Sequence, residues 1–154
     1  MTKNYKNIII IIFLLLLTSC GYTPILNSEK TNFYINDINF EGERKINNYI
    51  SKNLKKYQRI ETTTKKYDIK IISFYEKKVV NKDDSGNPKN YNIKVTSNVN
   101  FILNGKDQIN KIFERNTSFS AQNKKISEKK LELRNKKNLS NLISEDIIFF
   151  LINQ

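Results

Sequence analysis

The chain contains no histidine, one cysteine at position 20, four glycines and two prolines. Histidine is the commonest general base and the commonest metal ligand, so its absence removes Ser/His/Asp and Cys/His catalysis at a stroke. One cysteine leaves neither a disulfide framework nor a cysteine-built metal site. The glycines, Gly21, Gly42, Gly86 and Gly105, are scattered singly and form no phosphate-cradling loop, so nucleotide-binding motifs are absent. Both prolines, Pro24 and Pro88, lie among turn formers. Carboxylates, Ser, Thr, Tyr and Lys remain for metal-free chemistry, but no pair of them stands out. An enzyme is the least favoured reading, and no cofactor or metal is expected.

What the chain does have is a strongly marked beginning. Lys3 and Lys6 precede an unbroken apolar run from Ile8 to Leu17, closed by Thr18, Ser19 and Cys20. A basic start, a short apolar stretch and small residues at the cleavage point are the three parts of a secretory signal. The run is too short for the ~20 residues that cross a bilayer as a helix. Leu17-Thr18-Ser19-Cys20 resembles the lipobox of bacterial lipoproteins. That resemblance implies cleavage before Cys20, diacylglycerol on its sulfur and often a further fatty acyl chain on the new amino terminus. Two or more chains hold a protein stably in a membrane, each buried methylene contributing ~0.8 kcal/mol. In such lipoproteins an aspartate after the cysteine retains the protein in the inner membrane. Gly21 stands there instead, which implies the outer membrane, with the body on its periplasmic side.

The predicted organisation is a signal peptide over 1–19, a lipidated tether over 20–31 and one domain over 32–154. The formal charge is +12, and removing the two leader lysines leaves +10 on the body. Such a balance suits anionic lipid, an acidic wall or nucleic acid, and the export signal argues against the last. Only four of the basic residues are arginine, and Lys, Asn and Ile together dominate the composition. An AT-rich genome imposes that trio whatever the function.

Taken in order, Asn32–Glu41 alternates imperfectly, with Tyr34, Ile38 and Phe40 predicted on one face of a strand and Phe33 and Ile35 on the other. Glu43–Arg59 reads as an amphipathic helix, its stripe being Ile46, Tyr49, Ile50, Leu54 and Tyr57. Tyr67–Val80 is a second strand, with a bulge expected near Ile72 or Ser73 because Phe74 breaks the phase. Asn81–Pro88 is a run of turn formers, and Asp83 and Asp84 read as a solvated turn rather than a calcium or acid-catalytic site. In Asn90–Asn104 the odd positions Tyr91, Ile93, Val95, Val99, Phe101 and Leu103 are apolar and the even ones nearly all polar. That spacing predicts a long strand with one wet face, ending in an Asn104-Gly105 hairpin. Gln108–Gln122 is the returning strand, with Phe113, Phe119 and Ala121 on one face. Ile126–Asn153 is a long helix, charged in its first half and apolar nearly all round in its second. It either packs tightly on the sheet or offers its surplus face to a partner. The order βαβββα predicts an α+β fold, a four-stranded, mostly antiparallel sheet with two helices on one face and a polar opposite face.

Cys20-Gly21-Tyr22-Thr23-Pro24 after the lipobox, this element order, the Asp83-Asp84-Ser85-Gly86 loop and the long last helix together resemble the LPS-assembly lipoprotein LptE family. The resemblance implies a non-enzymatic plug inside an LptD-like outer-membrane β-barrel, taking part in lipopolysaccharide transport to the outer leaflet. Only Cys20 transfers residue by residue. Lipopolysaccharide carries phosphates and sugar acids, so Lys77, Lys78 and Lys82 at one hairpin end, and Lys94 on the wet face, are candidate contacts. Because an exposed charge pair contributes only ~0–1 kcal/mol, several lysines would act together. A lipid-carrier lipoprotein facing the periplasm is the alternative, and it requires a curved sheet with an apolar concave face.

Overall fold

The structure, a computed structural model, describes residues 31–58 and 65–154. The predicted signal peptide, the lipobox-like segment with Cys20, most of the predicted tether and Arg59 lie outside the described residues. The elements are β1 (Phe33–Gly42), α1 (Arg44–Leu54, continued by one 3-10 turn over Lys55–Tyr57), β2 (Lys65–Lys82), β3 (Pro88–Leu103), β4 (Asp107–Ser120) and α2 (Lys125–Ile152). They form the expected α+β arrangement, with one sheet in the order β1-β2-β3-β4. β1 runs parallel to β2, whereas β2, β3 and β4 are antiparallel neighbours. Parallel neighbours need a crossover, and α1 supplies it.

β3 shows the sequence physics most plainly. Ile93, Val95, Ser97, Val99 and Phe101 are buried in alternation, and both helices cover that face. Its neighbours align register by register, with Ile69 opposite Phe101 and Ile71 opposite Val99. Into this face α1 places Ile46, Ile50, Leu54 and Tyr57, and α2 places Leu139, Ile143, Ile147, Ile148 and Leu151. Each fully buried side chain of this size contributes roughly 1.5–3 kcal/mol by leaving water. Aromatic rings close the end of the core nearest the N-terminus. Phe33 stacks on Tyr57 at 5.4 Å between centroids, and Phe101 meets Phe150 at 4.9 Å. Asn53 of α1 donates to Asn141 of α2 at 3.2 Å, tying the two helices side by side.

The structure moves the expected bulge. β2 alternates without interruption from Tyr67 through Ile69, Ile71 and Ser73 to Tyr75, and Ser73 pairs in register with Ser97. Phe74 is simply on the outer face, half exposed. Extra residues sit instead in β1, where Ile35 pairs with Tyr67 but Asp37 pairs with Asp68, leaving Asn36 unmatched, and near the far end of β2, where Val79 pairs with Tyr91 but Asn81 with Asn90, leaving Val80 unmatched. One inserted residue reverses the facing of everything after it. Ile38 and Phe40 therefore join Phe33 and Ile35 against the core, and Tyr34 does not share their face. The helix is also shorter than its stripe suggested, since the α-helical part ends at Leu54.

Two turns depend on glycine. Gly42 ends β1 with φ +86°, and a Cβ there would run into the Ser73 carbonyl oxygen, which accepts the Glu43 N–H at 2.9 Å. Asn104 and Gly105, with φ of 50° and 72°, form the two central residues of the β3–β4 hairpin. Positive φ at both central positions suits the twist of the flanking strands. Among the described residues, no helix is long and apolar enough to cross a membrane.

Candidate functional site

Glu128, Glu132 and Lys136 recur every four residues along α2 and so share one face. That face meets the far half of the sheet, where β2 turns Tyr75 and Lys77 inward. The Lys77 ammonium lies 3.1 Å from Glu128 and 2.9 Å from Glu132. It also sits 4.0 Å from the centre of the Tyr91 ring and 5.4 Å from that of Phe119. Tyr75 donates its hydroxyl to Glu132 at 2.8 Å. Lys136, buried, lies 3.5 Å over the Tyr75 ring and 3.7 Å from Glu43.

Burial works against the charge on Lys77, yet hydrogen bonds to Glu132 and Glu128 outweigh it and raise its pKa. For Glu132, burial pushes upward and is overcome by hydrogen bonds from Lys77 and Tyr75, so its pKa is lowered. Burial, then the Glu132 bond, pushes Tyr75 far above its usual range and keeps it neutral. Both ions of the pair therefore stay charged through neutral pH. This cluster clamps the hairpin to the helix. Lys77 is thus spoken for by α2, on the opposite face from Lys78 and Lys94.

The outer face carries the other sequence candidates. Lys94 pairs with Glu114 across β3 and β4 at 3.1 Å, and Lys78 pairs with Glu76 at 2.9 Å. Amide and hydroxyl pairs cross the strands around them, Asn100 with Asn110 at 2.7 Å and Asn92 with Ser118 at 3.1 Å. Phe74 and Ile112 stand out of this polar surface, and a shallow groove of about 360 Å³ runs between Ile72, Asn98 and Ile112. Lys82 occupies the far end of β2. It borders a cleft of about 760 Å³ with Lys89, Lys125, Tyr91 and Gln122. The four lysines thus occupy one end of the sheet but do not converge on one point.

Asp83 organises the loop at that end. Its carboxylate accepts the backbone N–H of Asn87 at 2.8 Å and of Ser85 at 3.0 Å. The Asn87 backbone bond, opposed by some desolvation and aided by the other loop groups, holds its pKa below the usual carboxylate value. Turn closure uses the oxygens that a cation would need. No group of three or more potential metal-ligating side chains occurs among the described residues.

Sequence reasoning missed the partners of Lys77. The signal was present in the four-residue spacing of Glu128, Glu132 and Lys136, but the β2 lysine they face lies more than fifty residues earlier, as the 51 and 55 residue separations show. On α2, Ile148 is buried as the packed-helix reading expects, whereas Leu142 and Phe149 remain exposed on the outer side.

No family model matches the chain, and no curated protein matches it by sequence. Solved structures do match. Rare lipoprotein B from Shewanella oneidensis aligns with a TM-score of 0.55 at 11% identity, covering 77% of this chain and 98% of its own. A minor lipoprotein from Acinetobacter baumannii aligns with a TM-score of 0.56 at 9% identity, covering 77% and 91%. Lipoprotein B from Nitrosomonas europaea gives 0.54 at 10% identity, covering 77% and 83%. At these identities the likeness is one of fold.

Proposed function

We propose that the chain is a bacterial outer-membrane lipoprotein of the LptE type, a non-enzymatic plug that helps assemble an LptD-like β-barrel for lipopolysaccharide transport. One observation carries the reading. The body that follows the lipobox shares its fold with proteins named as lipoproteins, over nearly the full length of one of them. Cys20 is the acylation site on this reading, carrying diacylglycerol and fatty acyl chains, and the body lies on the periplasmic side of the outer membrane.

The surface chemistry supports a plug. Barrel lumens are polar and hydrated, so an occupant needs its own core and a polar skin. The outer face, with Asn92, Lys94, Asn98, Asn100 and Asn110, is such a skin. Among the sequence candidates for lipopolysaccharide contact, Lys82 is exposed and has no ion pair among the described residues. Lys78 and Lys94 are already paired, and Lys77 is held by two glutamates. The lipid-carrier alternative needs an empty apolar face. Here the apolar face of the sheet is filled by side chains of α1 and α2.

Affinity purification of the full chain from detergent-solubilised outer membranes tests the proposal. A β-barrel protein of much larger mass should be recovered in stoichiometric amount. Recovery without any barrel, or with bound lipid alone, would contradict it.

A further inference from the structure

We propose that the end of the sheet nearest the N-terminal segment is a membrane-docking face, with Lys55, Lys56, Lys65, Lys66 and Lys106 meeting an anionic lipid surface. This rests on the lipoprotein reading and adds an orientation and a second contact to it.

The topology brings these lysines together from three separate stretches. β1 starts at Phe33 beside Lys65, the first residue of β2. The β3–β4 turn lies at the same end, because Asn104 donates its N–H to the Lys66 carbonyl at 2.8 Å and its side-chain oxygen accepts the Lys66 N–H at 3.0 Å. Lys106 follows in that turn. α1 runs back along the sheet until Tyr57 stacks on Phe33, which delivers Lys55 and Lys56 to the same end. α2 also finishes there, with Phe150 on Phe101.

None of the five lysines makes an ion pair among the described residues. Lys55, Lys56 and Lys106 are exposed, and Lys65 and Lys66 are half-buried. The acids described at this end are Asp37 and Asp68, side by side on β1 and β2, Asp107 at the start of β4, and Glu145, which borders a small groove with Lys56. Among the described residues the five lysines outnumber these acids by one.

The position of Cys20 selects lipid as the partner. Twelve residues, 21–32, separate it from Phe33. At full extension they span about 40 Å, so the lysine-bearing end is kept close to whatever membrane holds the acyl chains. β2 carries the opposite, Asp83-bearing loop roughly 55 Å further along the strand. Screening confines surface attraction to about 8 Å at physiological salt, well inside the reach of the tether, so the tether brings the lysine-bearing end to the membrane and its charge decides whether it stays. Tethering turns a weak attraction into an intramolecular one, which needs little intrinsic affinity. Each lysine at such a surface strengthens docking about 5-fold at low salt.

The test places the full lipidated chain on vesicles of phosphatidylcholine alone or mixed with phosphatidylglycerol, with an acceptor dye on the lipid headgroups. A donor is attached at Gln154→Cys, near the docking end, or at Ser85→Cys in the far loop. Energy transfer from position 154 should rise on anionic vesicles, return to the neutral-vesicle level at high salt, and fall in the Lys65→Gln/Lys66→Gln variant. The docked-to-undocked ratio of that variant should drop about 25-fold. Transfer from position 85 should stay low on both. Equal transfer from 154 on neutral and anionic vesicles overturns the proposal, and so does a gain confined to position 85. The salt and lipid comparisons use unaltered lysines, so misfolding of the variant does not blur the result. If the chain fails to remain on neutral vesicles at all, it is the lipid anchor, and with it the underlying lipoprotein reading, that falls.

Discussion

From Leu139 to Leu151, α2 meets the sheet with Ile143, Ile147 and Leu151, all fully buried. From Glu128 to Lys136 the same helix meets the same sheet with two carboxylates and an ammonium. The apolar half gains free energy in proportion to the area it removes from water and is indifferent to small shifts. The charged half gains less, because desolvation offsets most of the attraction, but it is exact in geometry. Ser73 and Ser97 mark the border, their hydroxyls 3.1 Å apart between the apolar rows and Tyr75. The teaching is that one helix can carry both the stability and the placement of a long hairpin, in separate segments.

The largest effect should come from the apolar half. Phe101→Ala removes a fully buried ring that contacts Tyr67, Phe113 and Phe150. It should cost about 3–5 kcal/mol in urea denaturation. Lys77→Met strands Glu128 and Glu132 and should cost less, about 1–3 kcal/mol. Its signature is local: hydrogen exchange should accelerate in residues 125–137 and leave 139–151 almost unchanged. Equal acceleration in both segments would abolish the distinction between the halves.

Acid sharpens the same contrast. The Glu132 pKa is lowered from its ordinary 4.5, so its stabilisation is present above that value and is lost as pH falls through the lower folded one. The Lys77 pKa is raised from 10.5, so its stabilisation is present below that value and is lost as pH climbs past the higher folded one. Denaturation midpoints should therefore fall below about pH 4, and Glu132→Gln should flatten that limb. At the border, Ser73→Ala alone leaves the Ser97 hydroxyl without its partner and should cost about 1 kcal/mol, whereas the double change to alanine should be nearer neutral. Asn100→Ala on the outer face should register within about 0.5 kcal/mol, since it loses an exposed cross-strand pair only.

Much of this arrangement was readable from residue order. The odd positions of β3 and the Asn104-Gly105 turn are local patterns that formed as the spacing predicts, while the Ile46–Tyr57 stripe formed without Tyr49, which stays out of the core, and with its last turn wound as a 3-10 helix. The bulge was misplaced because Phe74 draws attention as an apolar residue out of phase, when it is a solvent-facing one. The insertion in β1, at Asn36, is a polar residue beside Asp37 and leaves no mark until β2 is laid beside β1. Lys77 was grouped with Lys78 and Lys82 because adjacency in sequence conceals that neighbours on a strand face opposite ways. Cross-sheet partners such as Glu128 are a property of the fold. The outer face needed no such information, since its even-numbered asparagines already spelled a wet surface.

The most direct measurement for the whole account is the intact mass of the protein isolated from its native membrane, with sequencing of its first peptide. The account predicts a chain beginning at Cys20 with diacylglycerol on the sulfur. A chain beginning at Met1 with a free thiol would contradict it.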